Sequence, residues 1–136
     1  GIVAISPFTD LTLSGPSIEA NSGDDPANHR DSLAQLGASY FQGHEPTDPM
    51  VSPYFGDLGC LPPIFLAAAE GEVLESDTTR FAGKAADAGA DVTLEIVADS
   101  VHVFTIFPFL PEARDVLDKI RQWADRVQVD GRLRIA

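Results

Sequence analysis

The 136 residues include a single cysteine, a single methionine and a single tryptophan. With Cys60 alone, no disulfide can close within the chain. A reducing, cytoplasmic compartment is the default expectation from that count. No run of about 18 apolar residues occurs, so no transmembrane helix is expected. The N-terminus lacks the basic and long apolar regions of a signal peptide. Positive charge is scarce: 9 Lys and Arg stand against 21 Asp and Glu, for a net charge of −12. Such a surface repels phosphate backbones and anionic headgroups, which argues against nucleic-acid binding and membrane docking. No glycine-rich phosphate loop, internal repeat or low-complexity tract is present. His29 and His44 lack partners at metal-ligand spacing. Asp24-Asp25 and Asp48 read as caps and turn formers rather than a calcium loop. No metal or cofactor is expected. Because Met50 is the only methionine and the chain begins at Gly1, its length is taken as provisional.

What is present is an alternation of strands and helices. Ile2-Val3-Ala4-Ile5 is an unbroken apolar run stopped by Ser6-Pro7, the pattern of a strand buried on both faces. Residues 7–24 are rich in turn formers and read as loop. Asp25-Pro26 resembles a cap followed by proline at the first helical position. Leu33, Leu36, Tyr40 and Phe41 then predict a helix over about 27–41, closed by Gly43. Residues 43–63 read as an ordered, irregular crossing, because Met50, Val51, Tyr54, Phe55 and Leu58 call for burial. A second buried strand follows at 64–69. Ser76 can cap a helix to about Ala88, with Gly89 at its C′ position. Residues 92–97 alternate, with Val92, Leu94 and Ile96 on one side and Thr93, Glu95 and Val97 on the other, as in an edge strand. Pro111 opens a last helix, in which Ala113, Val116, Leu117, Ile120, Trp123, Ala124 and Val127 form one apolar stripe. Residues 128–136 lose that pattern and read as a tail. The order predicts an α/β fold with a parallel sheet of about three strands and covering helices. A sheet this small usually has further strands beside it, and the sequence supplies none.

In open parallel sheets, ligands sit beyond the carboxyl ends of the strands. Residues 6–10, Glu70-Gly71-Glu72 and Asp99-Ser100-Val101-His102 fall there. An acid and a histidine on adjacent strand ends follow the logic of a hydrolytic triad, in which the acid orients the imidazole that acts on a nucleophile.

Five motifs occur in order: Ser6-Pro7-Phe8-Thr9-Asp10-Leu11-Thr12, Asp48-Pro49-Met50-Val51-Ser52-Pro53, Leu61-Pro62-Pro63, Glu70-Gly71-Glu72-Val73-Leu74 and His102-Val103-Phe104. Together they resemble the C-terminal half of α/β-hydrolases of the hormone-sensitive-lipase-like family, the bacterial esterase and lipase group. The resemblance covers residues 1–127. It implies that His102 is the catalytic base and Glu72 the triad acid that orients it. Asp77 is the runner-up acid, expected one helical turn on and turned from the site. Asp10 reads as structural. Phe104, Phe107 and Phe109 read as packing residues under the last helix, with an acyl pocket as the other reading.

The nucleophile is the departure. No Gly-x-Ser-x-Gly elbow and no His-Gly-Gly-type oxyanion loop occurs in the 136 residues. Chain order in this fold is serine, acid, histidine, so the serine is expected upstream of Gly1. Ser6 ends a strand but precedes proline and lacks flanking glycines, so it is a poor substitute nucleophile, and Ser100 reads as a loop serine. The expectation is therefore the acid and histidine of a carboxylic-ester hydrolase acting on a small ester. The chain would be part of a domain of about 250–300 residues and inactive alone. The alternative is a non-catalytic segment of hydrolase ancestry, acting through association with a missing N-terminal half or a second copy paired along strand 92–97.

Overall fold

The computed structural model describes residues 1–133. Three parallel strands, β1 (Ile2–Ile5), β2 (Ile64–Ala69) and β3 (Val92–Val97), form one sheet in the order β1-β2-β3. Four α-helices accompany them: α1 (Pro16–Ala20), α2 (Arg30–Phe41), α3 (Glu75–Asp87) and α4 (Pro111–Leu133).

Every residue of β2 is buried, as its unbroken apolar sequence requires. Its two faces feed two cores. Phe65, Ala67 and Ala69 pack with Phe104 and with Ala113, Val116 and Trp123 of α4. Ile64 and Leu66 pack with Leu58 and with Phe81, Ala82 and Ala85 of α3. The alanines of β2 are small enough to let α4 close down, and Phe65 meets Trp123 edge-on with ring centroids 5.9 Å apart. α3 ends before Gly89, whose φ of +92° suits a residue without Cβ. β3 lies at the sheet edge, where Leu94 and Ile96 are partly exposed.

Several expectations fail for identifiable reasons. β1 is not buried on both faces: it pairs with β2 alone, and Val3 is exposed. The 7–24 loop contains α1, which buries Ile18 beside Leu33, Val73 and Leu74. α2 begins at Arg30, not near 27, because His29 takes the N-cap position and the Asp25 carboxylate is used in a turn. α4 continues to Leu133, so residues 128–133 extend the helix rather than form a tail, while 134–136 lie outside the described residues. Leu36, Tyr40 and Met50 are exposed, as is Leu117 on the α4 stripe. Leu36, Tyr40 and Met50, with Phe8, Leu11 and Val51, border an apolar groove of about 290 Å³. No helix among the described residues is long and apolar enough to cross a membrane.

Candidate active site

The carboxyl ends of all three strands converge on one carboxylate. Glu72 follows the tight turn after β2, in which Gly71 adopts a φ of +78°. Its side chain is almost wholly buried, and Oε2 lies 3.6 Å from Nδ1 of His102, in the loop after β3. The same Oε2 accepts a hydrogen bond from the Ser6 hydroxyl at 2.8 Å and a longer one from the Ala69 N–H at 3.4 Å. Ser6 Oγ in turn accepts the Val103 N–H at 3.1 Å. Nδ1 of His102 and Oε1 of Glu72 have no hydrogen-bond partner among the described residues. At 3.6 Å the pair is close to, but longer than, a formed hydrogen bond. Such contacts commonly tighten only when substrate is bound.

The acid is held by a separate clamp. Asn21 donates to the Glu72 carbonyl at 3.0 Å, and Asp25 accepts the Val73 N–H at 2.8 Å through Oδ2. The other Asp25 oxygen accepts the N–H groups of Ala27 and Asn28. Ser17 of α1 adds a bond to the Val73 carbonyl at 2.6 Å. The α1 region thus fixes the turn that carries Glu72, which explains why Ser17 and Ile18 of this short helix are buried. From the sequence, Asp25 is expected as a cap and turn former, and the turn to Ala27 and Asn28 forms. Its second oxygen ties two distant segments together, and nothing in local sequence announces that.

On the histidine side, Val103 has a φ of +52°. A β-branched residue rarely adopts this conformation, and the strain is of order 1–3 kcal/mol. It turns the chain sharply so that Phe104, fully buried, drops into the α4 core directly after the half-buried His102. Phe104 is therefore a packing residue, as expected, but Phe109 is largely exposed. An open recess of about 230 Å³ is bordered by Asp25, Glu70, Glu72, Ser100 and His102.

Asp77 is placed elsewhere. Its Oδ2 accepts the N–H groups of Thr9 at 2.7 Å and Asp10 at 2.9 Å, pinning the turn after β1 to the start of α3. Asp10 is itself buried, and Arg80 reaches it at 3.2 Å. Burial pushes the Asp77 carboxyl up to about 6, against the pull of the two amides, and the neighbouring Asp10 charge adds to the rise. Burial also acts on Asp10, but hydrogen bonds from Ser14, Thr12 and Arg80 outweigh it and hold Asp10 below the ordinary range. The folded state holds the Asp77 proton more tightly than the unfolded chain does. The Asp77 contribution to stability is therefore fullest below about pH 4 and is lost as pH rises through its folded value. Asp77→Asn keeps an acceptor for both amides and removes the titration. Thermal unfolding at a series of pH values is expected to show the wild type losing on the order of 2 kcal/mol relative to this variant between about pH 4 and 7. A constant difference across that range contradicts the shift.

The remaining sequence candidates are not part of the cluster. His29 uses Nδ1 on the Ser22 carbonyl, and Asp48 forms a turn to Met50. No group of three or more metal-ligating side chains occurs among the described residues. The sequence offers Ser6 as a strand-end residue and a poor nucleophile, not as a bridge between the Glu72 turn and the His102 loop. The rule that parallel-strand ends converge could have found it, since Ser6 is the first residue beyond β1.

Comparison with known proteins agrees with this architecture. A family profile described as the alpha/beta hydrolase fold matches residues 1–106. An esterase of Acinetobacter venetianus is 32% identical over 133 residues, which is 96% of this chain and 44% of that protein. An acetyl-hydrolase of Streptomyces hygroscopicus is 32% identical over 117 residues, covering 85% of this chain and 39% of its own length. A crystal structure of a hormone-sensitive lipase from a metagenome library superposes with a TM-score of 0.87 at 34% identity, over 91% of this chain and 43% of that one. An esterase of the bacterial hormone-sensitive lipase family gives 0.86 at 32% identity, over 89% and 41%. The chain spans less than half the length of the curated relatives it matches. A parallel sheet with helices on both faces, a family profile over most of the chain and these structural likenesses agree: the chain belongs to the α/β-hydrolases of the hormone-sensitive-lipase-like family and corresponds to the C-terminal portion of their fold.

Proposed function

We propose that this chain supplies the acid and the histidine of a serine carboxylic-ester hydrolase, with Glu72 as the triad acid and His102 as the general base. The observation that carries the reading is the buried Glu72 carboxylate 3.6 Å from Nδ1 of His102, at the ends of neighbouring strands. His102 takes the proton of a serine as that serine attacks the ester carbonyl, then returns it to the leaving alcohol. Glu72 fixes the ring tautomer that leaves Nε2 free to accept and stabilises the imidazolium while it exists. Asp77 is unsuited to this work, since its Oδ2 is committed to the turn after β1 and the carboxylate paired with His102 is that of Glu72. The carboxylates around the recess disfavour an anionic substrate, which suits a neutral ester. The free Cys60 is exposed, which fits a reducing compartment.

The nucleophile and oxyanion donors belong, in this reading, to sequence preceding Gly1. The coding sequence upstream tests it directly: an in-frame Gly-x-Ser-x-Gly supports the reading, and a stop codon adjoining a start near Gly1 sinks it. With a chromogenic short-chain ester, the 136-residue chain is expected to show no turnover that His102→Ala removes. Turnover lost in that variant overturns the placement of the nucleophile outside this chain.

A further inference from the structure

We propose that Ser6 is a positioning residue that sets the pairing of Glu72 with His102, an inference that rests on the triad reading of those two residues. One hydroxyl joins all three strand ends. Ser6 Oγ donates to Oε2 of Glu72 at 2.8 Å, the oxygen that faces His102, and accepts the Val103 N–H at 3.1 Å, next to the imidazole. A hydroxyl is the smallest group that can do both, since it carries one donor and two acceptor sites. Ser6 is buried, and its own amide is anchored to Ala67 of β2 at 2.7 Å, so its position follows the sheet rather than the loops. Its φ of +48° is an unusual conformation for a residue with Cβ. The turn is what aims the side chain of a β1 residue back across β2 toward the acid. Without the hydroxyl, the Glu72 oxygen retains only the long Ala69 contact, and the Val103 amide loses its acceptor. Both halves of the pair are then free to drift, and Coulombic coupling falls with their separation.

The test is a double-mutant cycle read by the ¹⁵N chemical shifts of the His102 ring nitrogens, which report the tautomer of the neutral imidazole, in the full 136-residue chain. Glu72→Gln is expected to cut the excess of the Nδ1–H tautomer by roughly half or more, since an amide can offer the ring either a donor or an acceptor. In a Ser6→Gly background the same substitution is expected to change it by less than about half as much. Glycine deletes the hydroxyl while relieving the positive φ, so a loss of coupling cannot be assigned to backbone strain. Asp24, Asp25 and Glu70 also face His102 across the recess, and their effects cancel because they are common to both arms. Equal changes in the two backgrounds overturn the role of Ser6 and leave the triad pair intact. No change on Glu72→Gln in the chain that keeps Ser6 overturns the pair itself. A purely structural Ser6 lowers the melting temperature without changing the coupling. In the wild type, needing no variant, the Ser6 hydroxyl proton is expected as a slowly exchanging line with a cross-peak to the Val103 amide. Its absence at low temperature also overturns the proposal.

Discussion

His102→Ala, in a polypeptide that joins this chain to a Gly-x-Ser-x-Gly segment, is expected to lower kcat on a short-chain ester by roughly 10⁴-fold or more. In the proposed triad the imidazole moves the proton in both half-reactions, so deleting it leaves only binding and oxyanion stabilisation. Glu72→Gln is expected to cost roughly 10⁴-fold, since an amide can hold the ring in the wrong tautomer and cannot balance its charge. Asp77→Asn is the discriminating control. Its carboxylate is bonded to the Thr9 and Asp10 amides rather than to His102, so the loss is expected to stay within about tenfold. Measured kcat values for the three variants separate the two candidate acids. A loss for Asp77→Asn as large as that for Glu72→Gln refutes the assignment of Glu72.

The largest expected effect on stability is that of Phe104→Ala. Phe104 is fully buried between β2 and α4, among Phe65, Ala69, Val116 and Trp123. Truncating it removes the transfer energy of a phenyl ring and leaves a cavity that the sheet and α4 cannot collapse to fill. The expected cost is about 3–5 kcal/mol. For a chain of this length that corresponds to a melting temperature lowered by roughly 10–15 °C. Phe109→Ala, at a side chain 70% exposed, is expected to change stability by less than about 0.5 kcal/mol. Thermal unfolding followed by near-UV circular dichroism checks both. Because Phe104 lies two residues after His102, its loss also frees the loop that presents the imidazole. The segment His102-Val103-Phe104 thus couples the imidazole to a buried anchor across a strained turn.

The candidate acid and histidine were legible because their signals are local: a glycine turn after an apolar run, and a histidine just past an alternating strand. What held them was not legible. Ser6, Asp25 and Asn21 act on residues 48 to 97 positions away. No periodicity or spacing rule reports a contact between a strand end and a distant turn. α1 escaped notice because five residues are too few to show a helical period, and its burial depends on a partner surface that the sheet creates. The exposure of Leu36, Tyr40 and Met50 shows the same limit from the other side. Apolar spacing marks a face that is able to pack, while the tertiary arrangement decides whether anything lies against it.

By itself, the sequence determined the alternation of strands and helices, the parallel sheet, the acid surface and the two residue types suited to proton transfer. It could do so because backbone periodicity, charge count and motif order are properties of neighbours along the chain. The tertiary structure alone decided that Asp77 pins the turn after β1 and that Asp25 clamps the turn carrying Glu72. It also decided that one serine hydroxyl joins all three strand ends. Those outcomes depend on sheet register, which ends β2 and β3 together and β1 opposite Ala67, and on burial, which favours pairing of the polar atoms there.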